Sequence, residues 1–295
     1  MYNYLELKNT KDATKLEDFV ISCGLSGRMF RKLIKIGNIK INDKLIKNKK
    51  YLLKAGDRVR IYLLEEDIDI KAQEMDLEIL YEDEDIIGVN KGPFLVVHPT
   101  KNIVDNTLSN GMAYYFLKNN INSKVRIINR LDRDTSGVIL FAKNSFGHQQ
   151  IAKQLEDRSA IKKYYALVEG KLKKKEGIIN KPIGKAPEGI GSIIREDGLE
   201  SITSYKLIEE YPGGSLLELQ ILTGRTHQIR VHLKDLGHPI IGDSLYNKES
   251  KLINRQALHA SSLTIRKTRT GELISIEAPL EKDMLNLIEY LKGNK

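Results

Sequence analysis

The chain has 295 residues, of which 41% are hydrophobic and 29% charged, and it contains one cysteine. These values are typical of globular proteins with two domains, and they exclude a low-complexity or largely disordered chain. No apolar run approaches the roughly 18 residues of a membrane span, and the N-terminal residues lack the apolar core of a secretory signal. We therefore expect a cytoplasmic protein without disulfides, in which Cys23 is a small structural residue.

The excess positive charge is concentrated near the N-terminus. Residues 1–62 contain 15 Lys and Arg against 6 Asp and Glu, a net +9, whereas the remainder has 33 of each and is neutral. Clustered cations favour a phosphate backbone as partner, because binding releases condensed counterions. A merely solubilising lysine-rich surface would explain the composition equally well.

The N-terminal pattern predicts two short helices followed by strands. Apolar residues recur at helical spacing over 15–22 and 28–36, and Ser26 is placed to cap the second helix. Alternating apolar residues predict strands over 39–41 and 57–63. Four basic residues recur three to four positions apart and share one face of the second helix: Arg28, Arg31, Lys32 and Lys35.

Residues 15–63 resemble the S4 RNA-binding domain. The shared pattern is a basic second helix, the KIGNIKIN turn into a strand, and a Gly-Asp pair before the last strand. This resemblance implies that the basic helix face lies along RNA phosphates. We predict an S4-like domain over residues 1–63 and a linker over 64–76, where the charge reverses and no apolar period is sustained.

Residues 77–295 form the predicted catalytic domain. Apolar runs predict its strands at 86–89, 138–142, 164–168, 216–222 and 258–265, and helical spacing predicts helices at 145–155, 226–236 and 281–291. The expected fold class is α+β, with a small ααβ module followed by a mixed, largely antiparallel sheet and flanking helices.

A polar loop in this domain contains Asp132 and Asp134 and leads through Gly137 into an apolar strand. A buried strand fixes the position of such a loop while the loop exposes its carboxylates, which suits a catalytic group. The same residues could form an ordinary turn, in which Asp and Ser bind local N–H groups. Taken alone, the loop favours the turn.

The string RLDRDTSG resembles the HRLDxxTSG active-site motif of RluA-type pseudouridine synthases, with Asn129 at the position of the family's His. The resemblance implies that Asp132 is the catalytic aspartate. It also implies that Arg130 enters the RNA helix in place of an extruded uridine.

Three other segments resemble the same family in the required order: VNKGPFLVVHPT, KKYYALVEG, and LTGRTHQIRVHL with GHPIIGDSLY. They imply that Tyr164 is the active-site tyrosine and that Arg225 is the basic partner of Asp132. Three further residues are expected to contact the RNA backbone or the loop of Asp132: Lys91, His227 and Arg230.

The implied reaction is isomerisation of uridine to pseudouridine, which breaks the N-glycosidic bond and joins C5 to C1′. It needs no cofactor and no metal, and the sequence contains no P-loop or dinucleotide-binding motif. Asp132 could attack C1′ or remove the C2′ proton, and the residues leave both open. The resemblance favours large-subunit ribosomal RNA as substrate, with tRNA second, and we expect a monomer.

Two alternatives have other functions. The protein could be a ribosome assembly factor that binds RNA without catalysis, although the predicted catalytic residues are all present. Asp132 and Asp134 could instead be the carboxylates of a glycoside hydrolase, but their spacing within one loop gives no controlled separation. A zinc site at His227 and His232 is disfavoured, because five residues place them on poorly matched helix faces.

Overall fold

The structure, a computed structural model, describes residues 4–293. The outermost residues of the two predicted domains, 1–3 and 294–295, lie outside the described residues. Residues 4–62 contain six strands and two helices: β1 (Tyr4–Lys8), β2 (Thr14–Lys15), α1 (Leu16–Ser22), α2 (Gly27–Ile36), β3 (Ile39–Ile41), β4 (Lys44–Leu45), β5 (Leu52–Leu53) and β6 (Arg58–Tyr62).

This N-terminal module folds as its local pattern predicts. The Ser26 hydroxyl accepts a hydrogen bond from the backbone N–H of Met29 and caps α2, and Gly37 ends the helix in a left-handed conformation with φ of 82°. Both helices pack on the four-stranded sheet β1-β6-β3-β4 through a core that includes Phe30 and Ile61. The predicted helices are therefore confirmed to within one residue at each end.

Residues 63–293 contain twelve strands and four helices: β7 (Glu78–Glu82), β8 (Ile86–Lys91), α3 (Leu108–Lys118), β9 (Arg126–Ile127), β10 (Ser136–Ala142), α4 (Ser145–Glu156), β11 (Ile161–Glu169), β12 (Glu176–Asn180), β13 (Ile183–Lys185), β14 (Ser192–Ile194), β15 (Ile202–Tyr211), β16 (Gly214–Ile221), α5 (Gln228–Asp235), β17 (Leu258–Arg266), β18 (Leu273–Glu277) and α6 (Lys282–Gly293). Within residues 4–293, no helix is both long and apolar enough to cross a lipid bilayer.

Ten of these strands form one sheet. Its main path runs β12-β15-β16-β11-β17-β10-β8-β7, with β18 beside β17 and β9 beside β10. Among the described strands of this sheet, only β10 and β17 pair in parallel. The predicted mixed, largely antiparallel sheet is confirmed.

Strand β10 lies at the centre of two hydrophobic layers. All seven of its residues are buried, because both faces of the sheet are covered here. Ile139 and Phe141 pack with Phe116 of α3, whereas Leu140 packs with Ile151 of α4 on the opposite face. This double burial makes β10 a rigid support for the loop that precedes it.

The N-terminal module packs against α4. Phe146 of α4 is buried in the core of the module beside Phe30. The side-chain amides of Gln149 and Gln150 donate to the backbone oxygen of Gly24, in the turn between α1 and α2, at 3.3 and 2.5 Å. A helix outside the N-terminal module thus completes the core of the module.

The segment predicted as a linker, residues 64–76, has no regular secondary structure. Within it, Ile68, Ile70 and Ala72 pack against the α3 layer. The backbone N–H of Glu66 donates to the backbone oxygen of Asn122 at 3.0 Å. The three apolar residues alternate along the chain, and this period of two was not recognised from the sequence.

Phe146→Ala tests the contact between module and α4. We expect it to lower the free energy of unfolding by about 3 kcal/mol, because it removes a buried aromatic ring and leaves a cavity. Residues 64–76 should become more susceptible to protease, and urea unfolding with limited proteolysis would measure both effects. Phe94→Ala, at a ring that is 54% exposed, is the matched control and should change neither. Equal behaviour of the two variants would contradict the prediction.

Candidate active site

A cavity of about 510 Å³ opens between the loop before β10 and the segment that leads into α5. Tyr164, Ile221 and Leu258 form its apolar base, on adjacent strands of the large sheet. Six of the residues predicted for the site line it: Arg130, Asp132, Tyr164, Arg225, His227 and Arg230. Segments that are distant in the sequence therefore meet at one cavity, and its size is within the range of small-molecule sites.

Asp132 presents one carboxylate oxygen to the protein. Its Oδ2 accepts a hydrogen bond from Arg230 Nη1 at 3.2 Å and lies 3.8 Å from His227 Nε2. Among residues 4–293 no partner contacts Oδ1, and 31% of the side chain is exposed to the cavity. Both contacts thus fall on one oxygen of the carboxylate, and the other has no hydrogen-bond partner among the described residues.

Arg230 is buried between two carboxylates. Its Nε and Nη2 donate to the two oxygens of Asp243 at 2.7 and 2.8 Å, which fixes the plane of the guanidinium. Burial alone would lower the pKa of Arg230, but the hydrogen bonds and charges of Asp243 and Asp132 outweigh it and raise that pKa. Arg230 is therefore a permanent, oriented cation beside Asp132.

The sequence predicts Arg225 as the basic partner of Asp132, whereas in the structure Arg230 makes the hydrogen bond to Asp132. Arg225 lines the cavity, but its Nε donates to the backbone oxygen of Glu200 at 3.1 Å. Arg225 lies in the turn before α5, which begins at Gln228. Arg230, expected to contact the RNA backbone or the loop of Asp132, makes the hydrogen bond to Asp132 and is only 7% exposed.

Lys91, expected to contact the RNA backbone or the loop of Asp132, is completely buried at the end of β8 and contacts the loop. Its Nζ donates to the backbone oxygens of Gly92, Leu95 and Arg133 at 2.8, 3.0 and 2.7 Å. Burial lowers the pKa of Lys91 to about 7. Lys91 therefore ties two loops together, and one of them is the loop of Asp132.

Buried side chains hold each residue from 133 to 136. The pairs are Arg133 with Lys91, Asp134 with Arg255, Thr135 with Gln256, and Ser136 with His259. Arg255 is fully buried, and its Nε and Nη2 donate to the two oxygens of Asp283 at 2.6 and 2.8 Å. These contacts fix the backbone next to Asp132 without using an apolar side chain.

Gly137 allows β17 to approach β10. Its φ is 112°, and a Cβ atom at this position would lie 2.1 Å from the backbone oxygen of Ala260. Only glycine fits such a contact. The parallel pairing of Ser136 with His259 and of Gly137 with Ala260 depends on it.

Asn129 fastens the start of the loop to β10. Its Oδ1 accepts from the backbone N–H of Leu140 at 2.8 Å, and its Nδ2 donates to the backbone oxygen of Val138 at 3.1 Å. The next residue, Arg130, is exposed at the rim of the cavity, and no described residue pairs with its side chain. The loop thus has an anchored start and a free arginine.

Tyr164 lies on β11 with its ring buried against the cavity. Burial, together with the negative charge of Asp132, raises the pKa of Tyr164 above the ordinary value for tyrosine. Within the described chain its hydroxyl has no hydrogen-bond partner. A neutral phenol is therefore available to a molecule in the cavity.

Residues 85–235 match the family described as RNA pseudouridylate synthase. The chain belongs to this family. It is 39% identical over 267 residues to the RNA pseudouridine synthase YlyB of Bacillus subtilis (strain 168), with 88% of each chain covered. Ribosomal large subunit pseudouridine synthase D of Haemophilus ducreyi is 33% identical over 270 residues, which are 86% of this chain and 83% of that protein.

Solved structures agree with the sequence relatives. The human protein RNA Pseudouridylate Synthase Domain Containing 1 superimposes on 74% of this chain and 96% of its own, with a TM-score of 0.59 and 26% sequence identity. The chain is a pseudouridine synthase, an isomerase that modifies RNA, and it has the pseudouridine synthase fold.

Several residues that shape the synthase's cavity were not found from the sequence. Arg255, Gln256 and His259 lie outside every motif, and only the tertiary contact at Gly137 brings them to the loop. Asp243 lies within a quoted motif, in GDSLY, but nothing local indicates that it binds Arg230. Among the described residues, no cluster of three His, Cys, Asp or Glu side chains is placed to hold a metal ion.

The face of α2 formed by Arg28, Arg31, Lys32 and Lys35 is termed the α2 face. All four side chains are exposed, and no described residue forms an ion pair with any of them. The opposite side of the helix is buried, as expected for an amphipathic surface helix. The synthase thus carries a cationic surface on the module that packs against α4.

Lys91→Met tests the support of the loop. It should lower the free energy of unfolding by about 2–4 kcal/mol, because three buried carbonyl groups lose their donor, and it should reduce synthase activity through the displaced loop. Lys143→Met, at a partly exposed lysine near the other end of β10, should cost less stability and leave activity unchanged. Thermal unfolding and turnover would be measured for both, and equal losses would contradict the role of Lys91.

Proposed function

We propose that the enzyme isomerises a uridine of large-subunit ribosomal RNA, with Asp132 as the catalytic carboxylate. The observation that carries this proposal is the buried Arg230, which pairs with Asp132 and keeps a negative charge in position within the cavity. The substrate class is supported by the named activity of the Haemophilus ducreyi relative and by the cationic α2 face. Such a substrate would place the enzyme in the cytoplasm.

The accessible Oδ1 of Asp132 is the oxygen that we assign to the reaction. It either attacks C1′ of the ribose or removes the C2′ proton, and an ionised carboxylate serves in both cases. The charge of Arg230, beside Asp132, offsets the loss of solvent around the carboxylate. The detached uracil then rotates within the cavity, and C5 joins C1′.

The uridine has to leave the RNA stack to reach this cavity, at a cost of about a few kcal/mol. Arg130 extends from the rim, directly before the loop of Asp132, and has no partner among the described residues. We assign it to the space that the extruded base leaves in the helix. The hydrogen bonds of Asn129 to β10 support the backbone from which Arg130 extends.

Tyr164 supplies a surface on which the uracil stacks. Its ring belongs to the base of the cavity, and its raised pKa keeps the hydroxyl protonated at neutral pH. Because a neutral phenol is a weak base, we assign the removal of the C5 proton to a path through water that Tyr164 orders.

The N-terminal residues 1–63 are proposed to be an S4-like RNA-binding domain, joined through residues 64–76 to a catalytic domain over 77–295. The fold of two helices on a small sheet and the unpaired cations of the α2 face support this assignment. RNA phosphates lying along α2 would neutralise this face and release counterions.

Asp132→Asn tests the assignment of the carboxylate. With 5-tritiated RNA, the wild type should release tritium from large-subunit ribosomal RNA, and the variant should release it at least about a hundredfold more slowly. Asp134→Asn is the control, because that carboxylate pairs with the exposed Arg133 and should be dispensable. Release from tRNA alone would contradict the substrate, and wild-type rates in Asp132→Asn would contradict the mechanism.

A variant of the α2 face, Arg31→Gln with Lys32→Gln and Lys35→Gln, tests the role of the module. Loss of three phosphate contacts should reduce the slope of log affinity against log salt concentration by about 2, since each contact contributes roughly 0.7–0.9. Filter binding of ribosomal RNA fragments at several salt concentrations would measure this slope.

The control removes the same charge elsewhere on the surface, at three exposed lysines: Lys251, Lys282 and Lys292. This second variant should keep the wild-type slope. Identical slopes for the two triple variants would show that net charge, and not the α2 face, determines the affinity.

A further inference from the structure

Tyr246 connects the hairpin β13–β14 to the cavity. Its ring is 8% exposed, and its hydroxyl lies 2.7 Å from the backbone nitrogen of Ser192 and 2.8 Å from His227 Nδ1. The rings of Tyr246 and His227 meet edge to face, with centroids 5.6 Å apart. On its other side, His227 Nε2 lies 3.8 Å from Asp132 Oδ2. A chain of polar groups therefore runs from Ser192 to the carboxylate.

The donors and acceptors in this chain have one consistent order. The backbone N–H of Ser192 can only donate, so the Tyr246 oxygen accepts there. The hydroxyl proton then has His227 Nδ1 as its acceptor, and the neutral imidazole carries its own proton on Nε2. The reverse order would leave the hydroxyl proton without an acceptor among the described residues and would direct a lone pair of Nε2 at Asp132.

We propose that Tyr246 is a positioning residue for the reaction. Its hydroxyl fixes His227 as the Nε2–H tautomer, and this N–H is the second donor to Asp132 Oδ2, beside Arg230 Nη1. With both donors on Oδ2, the carboxylate presents Oδ1 to the substrate. The proposal rests on the catalytic role assigned to Asp132.

The separation of 3.8 Å is longer than a hydrogen bond. Such contacts in free enzymes often shorten when the substrate binds. His227 directly precedes the first residue of α5 and has φ of 57°, so its backbone is not part of the helix. A small rotation of the imidazole about its bond to Tyr246 would bring Nε2 to Oδ2.

The hydrogen bond from the Tyr246 hydroxyl to His227 Nδ1 requires a neutral imidazole. Burial lowers the pKa of His227 from its ordinary value of 6.5, and the charge of Arg230 lowers it further, while Asp132 and Asp243 act in the opposite direction. The phenol of Tyr246 also stays protonated, because burial raises its pKa. Protonation of His227 at acid pH would keep the N–H on Nε2, but it would place a hydrogen on Nδ1, break the bond from Tyr246 and release the ring from the position that this bond fixes. Activity should therefore fall as the pH drops below the pKa of His227.

Nitrogen NMR tests the tautomer directly. In ¹⁵N-labelled wild-type enzyme at pH 7.5, the ring nitrogens of His227 should show the pattern of a neutral, Nε2-protonated imidazole, assigned by comparison with His227→Asn. In Tyr246→Phe the Nδ1 resonance should shift, because its donor is lost. A protonated ring or an Nδ1–H tautomer in the wild type would overturn the proposal. This readout does not depend on the chemistry of Asp132.

Kinetics test the consequence. Tyr246→Phe should lower kcat about tenfold to a hundredfold with a smaller change in KM, the range expected for a lost hydrogen bond to a charged group. The acid limb of the pH dependence of kcat should move to higher pH in this variant. Protonation of Nδ1 then no longer has to break a hydrogen bond from the tyrosine. A tyrosine that only stabilised the fold would change the melting temperature and leave the acid limb in place, which would overturn the proposal.

Two substitutions of His227 complete the test. His227→Gln places an amide N–H near the position of Nε2 and cannot titrate, so it should retain activity within about tenfold of the wild type and lose the acid limb. His227→Asn suits the left-handed backbone but is too short to reach Asp132, so it should be much slower. Equal activity of the two variants would overturn the proposal. Activity that survives in Asp132→Asn would instead refute the role of Asp132 and leave the tautomer result standing.

Discussion

The contact between Gly137 and Ala260 is the constraint on which the active site depends. It lets β10 and β17 run side by side in parallel, at a distance that a Cβ atom would prevent. Because the strands meet there, the segment that enters β17 lies beneath the loop of Asp132. The loop presents backbone oxygens, which need donors when they are buried, and this explains why Arg255 and not an apolar side chain supports it.

Burying several cations around one loop requires compensation, because each loses its hydration. Arg255 is paired with Asp283, Arg230 with Asp243, and Lys91 has three carbonyl oxygens. The two arginines are held by two hydrogen bonds each, so that their remaining N–H groups point in fixed directions. The structure thus uses the same pairs to offset desolvation and to orient the donors that reach Asp132 and its loop.

The sequence predicts those features that depend on local pattern. Helical spacing places α1 and α2 to within one residue, and an apolar run places β10 to within two residues, but α3 was missed because it is buried on most sides and contains Gly111, so no amphipathic period marks it. Motif order predicts Asp132 as the catalytic residue, whereas the choice between Arg225 and Arg230 depends on how α5 faces the cavity. The rotational orientation of α5 follows from packing, and a sequence motif carries no information about it.

Helix α4 contacts both the N-terminal module, which is proposed to bind RNA, and the cavity in which catalysis is proposed. Gln149 and Gln150 contact the turn before α2, and Leu155 at the other end of the helix lines the cavity. At about 1.5 Å of rise per residue, these positions are separated by roughly 8–9 Å along the helix axis. Phe146 is buried in the core of the module, so α4 packs against the module and also borders the cavity. If the α2 face binds RNA as proposed, the packing of α4 sets the distance between that RNA and the cavity.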